Sequence, residues 1–155
     1  FGNEVNVPRL NFGVAKDNED KLYVFGGETL VYGPDGPLYA YTLTTERFDL
    51  NALDYGWRFV APILIFGAGG GGISVSSAMG DSGSIFHIGV DGVGTVQVYK
   101  PQNGFWEIHS NLNLGRFNSV AVTDDKNRIY VMGGSSGYPN FTRLQSVERT
   151  VLTTK

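Results

Sequence analysis

The chain has 155 residues, a net charge of −3, 41% hydrophobic and 17% charged residues, which suits one folded domain and excludes a disordered chain. Its 12 basic residues are scattered and form no patch of the kind that binds nucleic acid or an anionic membrane, and its longest apolar run, Phe59 to Phe66, contains Pro62 and is too short for a membrane span. There is no cysteine, so disulfides, zinc–thiolate sites and thiol catalysis are excluded, while 22 glycines, 13% aromatics and six prolines suit many short strands and tight turns.

The opening residues Phe1-Gly2-Asn3-Glu4-Val5 lack a methionine, as in a processed product or a fragment, and read as a last strand whose partners lie elsewhere. Pro8-Arg9-Leu10-Asn11-Phe12-Gly13-Val14-Ala15 follows, then an acidic turn at 17–21 and the apolar strand Leu22-Tyr23-Val24-Phe25 closed by Gly26-Gly27. The same order returns at Gly115-Arg116-Phe117-Asn118-Ser119-Val120-Ala121-Val122, an acidic turn at 124–128, and Ile129-Tyr130-Val131-Met132 closed by Gly133-Gly134. Arg9 to Arg116 and Leu22 to Ile129 are both offsets of 107 positions, a repeat in register.

Half that offset predicts a middle copy, and Ile85-Phe86-His87-Ile88-Gly89-Val90 supplies its strand, with valine in place of the second glycine. Its second half reads Val96-Gln97-Val98-Tyr99-Lys100, a turn, then Phe105-Trp106. In the first copy the expected counterpart is Leu38 to Phe48, with Phe48 standing for Trp106; in the third it is Val147 to Lys155, which stops before a tryptophan strand.

An apolar strand closed by Gly-Gly, a variable loop, a tyrosine strand, a turn and a tryptophan together resemble the kelch repeat. The resemblance implies an all-β chain of kelch-type β-propeller blades, each a four-stranded antiparallel sheet. The expected division within residues 1–155 is blade 1 at about 8–58, blade 2 at about 73–109, and blade 3 at about 116–155, completed by residues 1–6 of the same or another chain. Because propellers have about four to eight blades, three imply either a homodimer closing a six-blade ring or part of a longer chain.

Several segments mimic catalytic motifs. Gly67-Ala68-Gly69-Gly70-Gly71-Gly72 satisfies a dinucleotide fingerprint, but the following Ile73 to Gly80 is β-branched and serine-rich, poor material for the helix a pyrophosphate needs. Gly80-Asp81-Ser82-Gly83 and Gly133-Gly134-Ser135-Ser136-Gly137 look like hydrolase nucleophile segments, yet neither histidine, His87 or His109, stands where those enzymes need it. Two isolated histidines and no cysteine offer no zinc set, and the acidic turns lack the spacing of a calcium loop. His87, inside an apolar strand, reads as a core residue. The expectation is therefore no catalytic residues, no metal and no cofactor.

In kelch proteins the loop after Gly-Gly and the connection between blades emerge on one face. The resemblance therefore places a binding face on Tyr32, Asp35, Tyr138, Asn140, Phe141 and Arg143, with Arg9 and Arg116 at the start of blades 1 and 3. Arg9 and Arg116 recur at one repeat position and so read more readily as scaffold that holds blade to blade than as ligand contacts. Asn140-Phe141-Thr142 is an N-glycosylation acceptor, which tilts the expected compartment towards secretion. The expected function is non-catalytic binding of a protein partner, or assembly. A secreted propeller that binds or modifies carbohydrate is the alternative, and a nucleotide enzyme using residues 67–72 is a minor one.

Overall fold

The computed structural model describes residues 4–65, 73–77, 83–89, 93–126, 128–137 and 140–151. Among these the chain is all-β, with one short 3-10 turn at Leu53–Tyr55 and no helix long and apolar enough to cross a membrane. Among the described residues the strands group into three antiparallel sheets and two hairpins, and no sheet closes into a barrel.

In sheet 1, β1 (Gly13–Lys16) and β2 (Lys21–Phe25) pair across the acidic turn. The chain then leaves as a hairpin, β3 (Glu28–Gly33) and β4 (Gly36–Tyr41), and returns as β5 (Thr45–Asp49) and β6 (Arg58–Val60), giving the order β1-β2-β5-β6. Sheet 2 is the uninterrupted meander β7 (Ile73–Ser77), β8 (Ser84–Ile88), β9 (Thr95–Lys100) and β10 (Phe105–Asn111). Sheet 3 contains β11 (Val120–Thr123) and β12 (Arg128–Met132), then the hairpin β13 (Ser135–Ser136) and β14 (Thr142–Arg143), then β15 (Val147–Val151). It has three strands, β11-β12-β15, where four were expected, and among the described residues nothing pairs with the outer edge of β15. Residues 1–3 lie outside the described part, and residues 4–9 hold no strand.

The registers make the three sheets equivalent. Phe25 stands opposite Thr45, Ile88 opposite Val96, and Met132 opposite Val147. This corrects the expected pairing of Leu38–Phe48 with Val96–Trp106, because Leu38–Tyr41 belongs to the β3–β4 hairpin outside the sheet. Phe48 packs on Trp57 with ring centroids 5.3 Å apart, as Tyr99 packs on Trp106 at 5.3 Å. Trp57, not Phe48, is thus the counterpart of Trp106.

Strand alternation gives each sheet two faces. The front carries Tyr23 and Phe25 in sheet 1 and their equivalents elsewhere; the back carries Leu22, Val24 and Glu46 and their equivalents. The front of sheet 1 packs on the back of sheet 2 in a core of Ala15, Tyr23, Phe25, Ile85, Tyr99 and Trp106. The front of sheet 2 packs on the back of sheet 3 through Phe86, Ile88, Val96, Val98, Ile129 and Val131. Burying one such aliphatic or aromatic side chain contributes about 1.5–3 kcal/mol, so these two layers hold the three sheets together. The inner strand β7 lies beside both β1 and β11.

The turns repeat as well. Asp17 accepts hydrogen bonds from the Glu19 and Lys21 amides and from the Tyr23 hydroxyl at 2.9 Å. Asp124 accepts from the Lys126 and Arg128 amides at 2.9 Å and from the Tyr130 hydroxyl at 3.3 Å. These carboxylates are turn-formers, as the acidic residues at hairpin tips are expected to be. Burial and the Asp17 contact push the Tyr23 hydroxyl far above its ordinary pKa, so it remains a proton donor. The Arg128 guanidinium and neighbouring amides hold Asp124 down at about 2.

Candidate binding face

The paired glycines explain how the hairpins leave sheets 1 and 3. Gly26 and Gly27 have φ of +62° and +87°, and Gly133 and Gly134 have +64° and +85°. A Cβ on Gly27 would stand 2.5 Å from the Leu10 carbonyl oxygen, which accepts the Glu28 amide at 2.9 Å. Only glycine allows that conformation and that approach together. Leu10 bridges to Glu28 and Phe117 to Ser135, each followed by an asparagine in the left-handed region, Asn11 at +52° and Asn118 at +51°. Asparagine tolerates that conformation better than most side chains.

Each hairpin root is fastened by a buried arginine. Arg9 donates from Nη1 to the carbonyls of Gly26 (2.9 Å) and Thr44 (3.0 Å), and from Nη2 to Thr44 Oγ1 (2.9 Å) and Glu46 Oε1 (2.5 Å). Arg116 repeats this with Gly133 (2.9 Å), the Ser146 carbonyl (3.1 Å), Ser146 Oγ (3.1 Å) and Glu148 Oε1 (2.7 Å). The arginine side chains are 1% and 0% exposed. Glu46 also accepts the amides of Asn6 and Val7, and Glu148 those of Asn113 and Leu114.

The middle sheet solves the same problem without charge. Gln97 occupies the Glu46 position, its Oε1 accepting the Leu64 (2.7 Å) and Ile65 (3.0 Å) amides and its Nε2 donating to the Ile65 carbonyl (2.8 Å). Leu64 is therefore equivalent to Asn6, and three residues onward the sequence has Gly67 where the first copy has Arg9. A buried carboxylate without its arginine would be strongly unfavourable, and an amide avoids that. His87, 2% exposed, packs edge-on against Phe25 at 5.0 Å, within the core.

The residues expected at the binding face divide accordingly. Arg9 and Arg116 are interior fasteners and present no guanidinium to a ligand. Tyr32 and Asp35 are exposed on the β3–β4 hairpin, Tyr32 at 81%. Asn140, Phe141 and Arg143 are exposed on and beside the β13–β14 hairpin, where Phe141 packs on Phe117 at 5.7 Å. Tyr138 and the glycine run 67–72 lie outside the described residues. The strand β7 follows that run where a dinucleotide site would begin a helix. Sequence reasoning missed Leu30, Tyr39 and Tyr41, which share one face of the β3–β4 hairpin with Tyr32 and are all exposed. Two-residue alternation in Leu30-Val31-Tyr32 and Tyr39-Ala40-Tyr41 was the available signal.

The buried pairs make folding acid-sensitive. Burial alone would raise Glu46 and Glu148, but hydrogen bonds from Asn6, Arg9 and Val7, and from Asn113, Arg116 and Leu114, outweigh it and hold both below the ordinary carboxylate value. A carboxyl lowered in the folded state gives stability above its unfolded pKa of about 4.3 that is lost as pH falls through the folded value. The thermal midpoint by circular dichroism is expected to change little from about pH 7 to 5 and to drop below about pH 4. A midpoint that rises on acidification would contradict the assignment.

No family model matches the sequence, and no curated protein matches it.

Proposed function

We propose that this chain is a kelch-type β-propeller segment that binds a protein partner through the hairpins at its Gly-Gly ends, without catalysis. Three equivalent sheets packed front to back, the glycine pairs and the Tyr99–Trp106 and Phe48–Trp57 contacts support the blade reading. The observation that carries the binding reading is the β3–β4 hairpin, which stands outside sheet 1 and exposes Leu30, Tyr32, Tyr39 and Tyr41 on one face. Exposed tyrosines on a rigid mount are strong anchors for protein recognition, since each offers a large contact area at low entropic cost. Between Glu28 and Tyr41 the only charges are Glu28 and Asp35, so a neutral or basic partner surface fits best.

The test compares the native chain with the Tyr32→Ser/Tyr39→Ser double variant. A protein retained by the native chain and identified by mass spectrometry is expected to bind the variant at least about tenfold more weakly in calorimetry. Equal affinity of both forms would refute the hairpin as the site. A glycan-array signal with no retained protein would favour the carbohydrate alternative.

A further inference from the structure

The return from β5 to β6 brings together two arginines that are far apart in the sequence. Register places Arg47 directly opposite Arg58, at the outer end of the front-face row Ala15–Tyr23–Arg47–Arg58. The row runs from buried Ala15 and Tyr23 to a half-buried Arg47 and an exposed Arg58. Like charges directly opposite on neighbouring strands destabilise a sheet, since their Cβ atoms lie only about 5 Å apart. The equivalent pair in sheet 2 is Val98 and Glu107, with Glu107 on Lys100 at 2.5 Å, so the sheet architecture does not require the two arginines.

Neither arginine has a carboxylate partner among the described residues. The acidic residues of the adjoining turn are engaged elsewhere: Asp17 by Tyr23, Asp20 by Lys16 and Glu19 by Lys21. The β5–β6 connection carries the 3-10 turn Leu53–Tyr55, and the Arg58 guanidinium lies over the Tyr55 ring, its Cζ 4.8 Å from the centroid. Beside them is a concavity of about 340 Å³ lined by Arg47, Asp49, Ala52, Tyr55, Gly56 and Arg58.

We infer that this concavity binds a tetrahedral, doubly charged oxyanion, a phosphate or sulfate group, between Arg47 and Arg58. Guanidinium forks match such oxygens bidentately, and a dianion offsets both positive charges, which one carboxylate cannot do. Contact with the Tyr55 ring limits the freedom of one fork before the ligand arrives. Asp49 is the opposing charge: it lines the same concavity, with Oδ1 accepting the Asn51 amide at 2.9 Å. The site lies at the Asp49 end of β5, whereas the β3–β4 hairpin joins β5 at its Thr45 end, so the inference is independent of the partner-binding reading.

The test is calorimetric titration of the chain with inorganic phosphate, sulfate and acetate at one ionic strength, with Arg47→Gln, Arg58→Gln and Asp49→Asn as variants. All three positions lie outside both core layers, so each variant is expected to keep the native circular dichroism spectrum. Phosphate or sulfate is expected to bind the native chain, and to bind each arginine variant at least about tenfold more weakly, because one charge-assisted fork is gone. Asp49→Asn keeps an oxygen for the Asn51 amide, removes the opposing charge and is expected to bind more tightly. Without ligand, Arg58→Gln relieves the like-charge pair and is expected to unfold at a slightly higher temperature than the native chain. Added phosphate is expected to raise the native midpoint and to leave that of Arg58→Gln unchanged. Failure of the native chain to bind either dianion would overturn the inference. So would equal affinity of the native chain and the arginine variants, which would place the ion elsewhere, or acetate binding as tightly as phosphate.

Discussion

Glu46→Ala is expected to cost about 3–5 kcal/mol in urea denaturation, because it strands a buried guanidinium. Arg9 and Glu46 are 1% and 0% exposed, so water does not replace the lost partner. The total stability of a domain is only about 5–15 kcal/mol, so the variant is near the edge of folding. Arg9→Ala is expected to do similar damage from the other side, leaving a carboxylate with only the Asn6 and Val7 groups around it. The middle repeat shows the remedy. Combining Arg9→Gly with Glu46→Gln gives the first copy the glycine and glutamine that the sequence of the middle copy has at these positions, and is expected to recover more than half of the loss of either alanine variant. If the double variant is as unstable as the sum of its parts, the two sites are not equivalent and the repeat alignment is at fault.

Trp106→Ala is expected to cost about 3–5 kcal/mol, the range for removing a large buried aromatic side chain. Its ring lies 5.0 Å from Phe25 and 5.3 Å from Tyr99, and its Nε1 donates to the Ala61 carbonyl at 3.1 Å. One side chain therefore joins the front of sheet 1, the back of sheet 2 and the segment that connects them. Trp57→Ala removes the same residue type from the equivalent place on the back of sheet 1, where the ring is only half-buried. Its effect is expected to be clearly smaller, and parallel denaturation curves decide the comparison. Equal losses would mean that the back of sheet 1 is as well covered as that of sheet 2.

How much of this was legible in the sequence depended on what each position demands. Gly26-Gly27 and Gly133-Gly134 were readable because no other residue fits two successive left-handed conformations under a crossing strand. Arg9 and Arg116 were visible as a repeat, but whether they faced solvent or core was not, since charge alone says nothing of depth. The partner that settles it lay in Thr45-Glu46-Arg47 and Val147-Glu148-Arg149, a match obscured by hairpins of different length before it. The offset between copies is 107 from Gly26 to Gly133 and 102 from Glu46 to Glu148, and a fixed-offset search loses the thread there. Trp57 was hidden for the same reason: eight residues separate it from Phe48, while six separate Tyr99 from Trp106. The exposure of Val14 and Val122 was illegible because both look like ordinary strand residues until their neighbours are known.

The bridges Leu10 to Glu28 and Phe117 to Ser135 have a consequence for how the molecule varies. Each seals the neck of its hairpin, so the segment beyond is topologically a graft whose length and composition do not reach the sheet below. Lengthening a closed loop costs only about 0.6 kcal/mol per doubling. The chain is thus built like a rack of interchangeable tips, in which recognition can be rewritten between two glycines and an arginine-paired glutamate while the mount is left alone.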